Sequence, residues 1–412
     1  MGIYNSDEFR KSNRRRKNVE KFRQMQRNEI RKNYGDFETE NYIQKETPKG
    51  AYKIGKFNKQ VFYSVLILLS IGTIMIFSSS SYYSLYEKGD AYYFLKKQLF
   101  SLVIGIIAMI VFMGIDYHRY EKYTKHIYIG TIFLLGAVFL FPDINGAHRW
   151  ILVGGQSLQP SEIAKYAIVI FLASMLSKNK DELKDFFKGP IKYLLASGIF
   201  AALIYKQPNM SIAVVIMAVT FVMLFIARCK ISHLGFLVAC GLGLVFKMIM
   251  GAGYRMSRWT SFLNPWADPS GESYQLIQSF YSLGSGSVFG KGLGQSIHKA
   301  LYMPEPHNDF IFAIIGEELG LFGCIAIICL FVFLILSSFK IADKAIDSFG
   351  MYIASGITLV ITIQAIINMA VVSGSMPVTG VPLPFISYGG TSLIFNLAAV
   401  GILLNISRQR RI

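Results

Sequence analysis

Long apolar runs constrain the fold of this 412-residue chain more than any motif does. A helix needs about 20 mainly apolar residues to cross the hydrocarbon core of a bilayer. Runs of that kind fall near 61–83, 94–115, 126–141, 161–177, 191–206, 209–227, 231–250, 310–338, 350–372 and 389–406. Open strands cannot cross lipid, so the runs predict an all-α integral membrane protein of about ten transmembrane helices. A large soluble helical core would need polar helix faces. A chain with 53% hydrophobic and 16% charged residues, its apolar residues gathered in runs, lacks them.

Lys and Arg placement sets the expected orientation, because cytoplasmic loops carry the excess of cations. The segment before Gln60 is strongly basic and is placed in the cytoplasm. Ten crossings then put 116–125, 178–190, 228–232 and 340–349 on the same side, with Arg119, Lys122, Lys184, Arg228 and Lys340 among their cations. The C-terminal Arg408–Arg411 also falls inside, whereas 373–388 holds no Lys or Arg. The long polar stretch from about 254 to 308 becomes one large extracytoplasmic loop. It carries both charge signs and a glycine-rich run, Gly284–Gly294. Long connections of this kind are usually functional.

The net charge of +17 is therefore largely topological. Residues 1–60 read as a basic cytoplasmic tail, disordered when alone and suited to anionic lipid or a protein partner. No nucleic-acid recognition module accompanies the charge, so no nucleic-acid partner is expected. No cleavable signal peptide is expected, since the first apolar run begins near Val61. Cys229, Cys240, Cys324 and Cys329 lie in or beside spans and indicate no disulfide framework. No metal-ligand spacing appears, although the sequence leaves a divalent cation open.

Several polar clusters share the predicted outer side with the large loop. Ile144–Trp150 brings Arg149, and Gln159–Lys165 brings Pro160, a helix-start residue, with Gln159 or Ser161 as candidate caps. Glu162 and Lys165 stand three apart on one helix face, where they can pair. Intramembrane charges are costly and usually line a site, so Arg149 and Lys165 are candidates for holding an anionic head group. Asn209 follows Gln207-Pro and suits a helix cap. Glu317 and Glu318 lie about two turns inside a span, and one of them must face protein or water. Pro377–Ser392 carries three prolines and three glycines. It cannot be a continuous helix and reads as a packed, re-entrant outer segment.

Together these clusters describe an outer cavity with more cations than anions, suited to a lipid-linked phosphate or pyrophosphate. Cations would stabilise the leaving phosphates. A loop carboxylate would take a proton from an attacking hydroxyl, and Asp268 in Asn264–Gly271 is the best placed. Asp-Pro-Ser-Gly is equally an ordinary turn. Gln159, Glu162, Lys291, Glu305, His307 and Ser387 complete the candidate substrate contacts.

At these motifs the chain resembles the SEDS family (shape, elongation, division and sporulation), whose members include FtsW, RodA and SpoVE. The similarity runs from about residue 61 to 408. It rests on Ile144–Trp150, Gln159–Lys165, Asn264–Gln278, Pro304–Phe310 with Glu317–Gly320, and Pro377–Ser392. Asn264-Pro-Trp266 and Gly292–Ser296 are nearer the FtsW and SpoVE pattern than that of RodA. The resemblance implies a ten-helix peptidoglycan glycosyltransferase in the bacterial plasma membrane. It implies polymerisation of lipid II at the outer face, from a chain on undecaprenyl pyrophosphate, beside a class B penicillin-binding transpeptidase and division or sporulation proteins. Asp268 matches the loop aspartate that would act as base, and Arg149 and Lys165 match basic positions near the cavity. Glu305, His307 and Asp309 match the family's Pro-Glu-x-His-x-Asp-Phe signature. Gln207-Pro-Asn-Met-Ser211 departs from the family's Gln-Pro-Asp-x-Gly, so Asn209 inherits no catalytic or metal role. Two other functions fit a many-helix bundle: a lipid II flippase and a non-catalytic scaffold for the transpeptidase. The large loop and its intact acid favour the enzyme.

Overall fold

The computed structural model describes residues 52–411 except 144, 145, 154, 155, 252 and 272. Nearly all of the basic tail expected over 1–60 therefore lies outside the described residues, as do Ile144, Asn145 and Glu272. Lys53–Arg410 form a single compact unit.

Among the described residues, helices occupy the positions of all ten apolar runs. They are α1 Lys59–Lys88, α2 Tyr93–Gly114, α3 His118–Ala137, α4 Pro160–Lys178, α5 Lys192–Lys206, α6 Met210–Ile226 and α7 Ile231–Met250. After these come α8 Gly253–Leu263, α9 Tyr274–Gly286, α10 Ile311–Asp343, α11 Ser348–Val372 and α12 Gly390–Arg408. Eight stretches are long and apolar enough to cross a membrane, with a 3₁₀ turn extending α3 and a π turn preceding α5. The helix α6 and the apolar part of α7, Ile231–Gly243, are shorter. The chain is thus a multi-pass, all-α membrane protein.

Local chemistry sets the helix ends. The Asn58 side chain accepts from the amides of Gln60 and Val61 at 2.9 and 3.2 Å, capping α1. Gly89 at φ 70° ends it, donating its amide to Leu85 O. Pro160 opens α4 at a position where its missing N–H costs nothing. Gln159 precedes it without a side-chain cap bond, so the expected cap is not formed by that residue. Asn209 does cap α6, accepting from Ile212 N at 3.4 Å.

The helices α4, α11 and α12 are buried along most of their length, while α2 presents Leu99, Phe100, Val103, Ile107 and Ile110 outward. Helix contacts use small residues, as expected where lipid removes the hydrophobic drive for helix association. A Cβ at Gly105 would lie 2.6 Å from Leu397 Cδ1, and one at Gly401 would run into Met109 O. These positions seat α2 against α12.

Two expectations change, and one element is new. Residues 118–125, expected in a connecting loop, form the first two turns of α3, because their charged and aromatic side chains do not oppose helix formation at a span end. The stretch 254–308 is not irregular throughout. It contains α8, a 3₁₀ turn at Pro265–Ala267, and α9. Apolar Leu276, Ile277, Phe280 and Leu283 recur at helical spacing, and Leu276 and Ile277 are buried. Finally, Ile151–Val153 (β1) and Gln156–Leu158 (β2) form an antiparallel hairpin that pairs Ile151 with Leu158.

The segment 377–389 is non-helical and packs inside the bundle. A Cβ at Gly72, midway along α1, would lie 2.5 Å from Phe385 O and 2.8 Å from Ile386 Cα. Val381, Leu383, Phe385 and Ile386 are buried. Irregular backbone at that depth is tolerable because protein covers it.

Candidate active site

The break in α10 organises the end of the bundle that carries the polar stretch 287–309. Gly320 takes φ 66° and ψ −165°, which interrupts the helix. The segment 287–292 fills the gap. Lys291 N and Gly292 N donate to Glu317 O and Glu318 O at 2.9 and 3.0 Å. Leu321 N and Phe322 N donate to Ser287 O and Val288 O at 3.0 and 3.3 Å. The backbone groups freed by the break are thus paired with protein. A Cβ at Gly290 would strike Glu318 O, and one at Gly320 would strike Gly290 N, so the crossing requires glycine on both sides.

Two buried carboxylates stand just before this break. Glu317 accepts from Lys291 Nζ at 2.8 Å, Ser282 Oγ at 3.1 Å, Ser296 Oγ at 2.5 Å and Ile297 N at 3.1 Å. His298 Nδ1 lies 3.0 Å from it. Glu318 accepts from Lys299 Nζ at 2.7 Å and from Ser78 Oγ at 2.7 and 2.8 Å. Buried charge is tolerable only with such pairing. Both side chains face protein, where their position in a span required it of one.

Outward of this layer, two adjoining depressions form at the start of α10. One is lined by Arg258, Glu305, Asn308, Asp309 and Val378–Gly380. The other is lined by Asp268, Ser270, Gly271 and Tyr274. Gln275 and Pro304 belong to both, so the two adjoin. Asp268 is exposed, and its Oδ1 accepts from Gly271 N at 3.1 Å. Glu305, at φ 44°, accepts from Asn308 Nδ2 at 2.6 Å through Oε2. Asp309 is half-buried. Burial and then the Glu305 carboxylate raise its pKa to about 7, against the opposing pull of Arg258 and Arg149.

The remaining sequence candidates sit around these depressions in different ways. The Arg149 guanidinium donates through Nε to Gln207 O at 3.2 Å and through Nη2 to Pro208 O, close enough to Asp309 to act on it electrostatically. Lys165 and Glu162 form a 2.7 Å ion pair and are both buried, with side-chain exposures of 0% and 2%. In this structure the Lys165 ammonium is turned to Glu162 and not to the depressions. Lys291 is held by Glu317. His307 is buried against Phe94, with ring centroids 4.2 Å apart, and burial lowers its pKa to about 4, so the ring is neutral at neutral pH. Ser387 is buried, and its Oγ accepts from Leu383 N at 2.9 Å, closing the re-entrant segment on itself. Gln159 stands at the N-cap of α4 without a side-chain cap bond.

The expected excess of cations is therefore not found at the depressions. Arg258 lines one of them with Glu305 and Asp309, the other holds Asp268, and Lys165 and Lys291 are taken up by glutamates. Among the described residues, no group of three or more His, Cys, Asp or Glu side chains converges as a metal site. Arg258, Tyr274, Gln275 and Lys299 were not singled out by sequence. Only their place in the polar stretch pointed to them.

Comparison with known proteins bears on this geometry. Residues 59–412 match the cell cycle protein family of FtsW, RodA and SpoVE. A protein of Geobacter sp. (strain M18) named "Probable peptidoglycan glycosyltransferase FtsW" is 40% identical, over 87% of this chain and 99% of its own length. Stage V sporulation protein E of Bacillus subtilis (strain 168) is 44% identical, over 84% and 95%. In fold, a chain of a peptidoglycan synthase complex that coordinates polymerization and crosslinking superposes with a TM-score of 0.71 at 24% identity, over 85% of this chain and 98% of that one. The rod shape determining protein RodA of Thermus thermophilus superposes with a TM-score of 0.64 at 23% identity, over 85% and 97%. The chain therefore belongs to the FtsW/RodA/SpoVE family of SEDS membrane proteins.

Proposed function

We propose that this chain is a peptidoglycan glycosyltransferase that polymerises lipid II at the outer face of the bacterial plasma membrane, with Asp268 as general base. The observation that carries the reading is the exposed Asp268 carboxylate, set in a depression that adjoins a second one lined by Arg258, Glu305 and Asp309. The names of relatives at 40 and 44% identity support the reaction class. In the reaction, Asp268 takes the proton of the acceptor sugar hydroxyl. The hydroxyl oxygen bonds to the donor's anomeric carbon, and the bond from that carbon to undecaprenyl pyrophosphate breaks. Arg149 and Arg258 offset the charge that develops on the leaving pyrophosphate.

On this reading the termini are cytoplasmic and the segment 251–309 is extracytoplasmic. A class B penicillin-binding protein is the working partner, in division or sporulation. The domain organisation is a membrane domain over 61–408 preceded by a basic arm. The test is purified protein with its partner, supplied with lipid II and assayed for glycan strands. Asp268→Asn should abolish polymer while the protein stays folded in the membrane. Near-normal polymer from that variant would sink the general-base assignment.

A further inference from the structure

Lys299 is a buried lysine that the reaction does not use. Its exposure is 2%, and it lines neither depression. Its ammonium donates to Glu318 Oε1 at 2.7 Å and to Ser78 Oγ at 3.0 Å, and lies 5.9 Å from the centre of the Tyr82 ring. Ser78 belongs to α1 and Glu318 to the outer half of α10, so the ammonium joins three segments far apart in sequence. The Lys299 amide also donates to Ser296 Oγ at 3.2 Å, and that hydroxyl donates to Glu317. Just beyond, Met303 is buried and its amide donates to His298 O at 2.9 Å. The next residue, Pro304, lines both depressions.

A stability role explains this arrangement poorly. Taking an ammonium and a carboxylate out of water costs several kcal/mol per ion, and well-packed neutral replacements are often as stable. What the pair supplies is a fixed geometry, since the ammonium satisfies both partners only in one place. We propose that Lys299 is a positioning residue. Clamped between Glu318 and Ser78, it anchors the start of the segment whose far end, Pro304–Asp309, forms one wall of the active site. The proposal rests on the glycosyltransferase reading for its kinetic consequence, but not for its structural one.

The test compares the full-length protein with the double variant Lys299→Met/Glu318→Gln, which removes both charges together and leaves no lone buried ion. The single Lys299→Met variant is carried alongside. Amide hydrogen exchange is measured in residues 300–309 and in α11, and lipid II polymerisation is followed with the partner protein. The double variant should exchange faster in 300–309 while α11 is unchanged. Its kcat should fall about tenfold or more, with KM held within about threefold, as expected when reacting groups are displaced by part of an ångström. Native exchange and native kcat in the double variant would overturn the proposal. Faster exchange spread equally through α11 would also overturn it, by showing a general structural pin. If the unaltered protein makes no polymer, the glycosyltransferase reading fails, and the exchange data alone decide the clamp.

Discussion

The sharpest test of the site is Gly271→Ala. The Asp268 carboxylate folds back over Gly271, where its Oδ1 accepts the Gly271 amide at 3.1 Å. A Cβ added at Gly271 would collide with Oδ2 and lie 2.6 Å from Cγ and 2.7 Å from Oδ1. Ordinary contact begins near 3.4 Å, so the carboxylate must swing aside by about 1 Å. The displaced atoms are the free end of an exposed side chain, so stability should change by no more than about 0.5 kcal/mol. Catalysis should be far more sensitive. Misplacing a reacting group by about 1 Å can cost about 100-fold, or roughly 2.7 kcal/mol of barrier. The assay is kcat for lipid II polymerisation by membrane-purified protein with its partner, with thermal unfolding as the folding control. Because both changes act on one carboxylate, Gly271→Ala should add nothing to the loss in Asp268→Ala. A Gly271→Ala protein with unchanged kcat would refute the placement of Asp268 as base in this conformation.

Gly320→Ala should lower the unfolding temperature. It puts a Cβ into a conformation that is nearly exclusive to glycine, at about 1–3 kcal/mol, and drives it against Gly290 N. Unchanged unfolding would mean that the helix break is not held as described. Asp309 supplies a pH signature. Its pKa rises from 3.8 to about 7 on folding, so the folded form holds the proton more tightly. Its contribution to stability is full below about pH 4 and is lost as pH rises through 7. Asp309→Asn should therefore flatten the pH dependence of unfolding between those values, and an unaltered slope would remove burial as the cause of the shift. A chain begun at residue 53 should keep polymerisation activity, because Gly55 N donates to Arg408 O and Asn58 caps α1, whereas the basic arm lies before them. Loss of activity in such a folded protein would join the arm to the enzyme.

Much of the fold was legible because lipid leaves few choices. Each apolar run became a helix, since a chain in hydrocarbon must satisfy its own backbone. The ends were less legible. α3 begins at His118, well before its apolar run, since charges and tyrosines at a span end suit the interface as well as a loop would. The helices α8 and α9 were hidden by the charges, prolines and glycines around them, although Leu276, Ile277, Phe280 and Leu283 carried the period. The Glu162–Lys165 pair was readable because three residues on a helix bring side chains together whatever the tertiary fold.

What sequence could not supply was the partner of each charge, and in this protein the partner decides the role. Lys165 looked like a ligand for an anionic head group and Lys291 like a substrate contact, but each ammonium is held by a glutamate, Lys165 in the same helix and Lys291 across a fold-dependent contact. Lys299 and Ser78 meet across 221 residues, a separation that no periodicity encodes. The same packing leaves Glu305 and Asp309 beside Arg258 in one depression and Asp268 in the adjoining one. Charge alone therefore did not show which side chain each lysine meets in the fold. On the proposed reading, buried Lys299 fixes the backbone and exposed Asp268 does the chemistry. Changing a buried lysine should thus alter where the wall of the site stands, while changing Asp268 should remove the base itself.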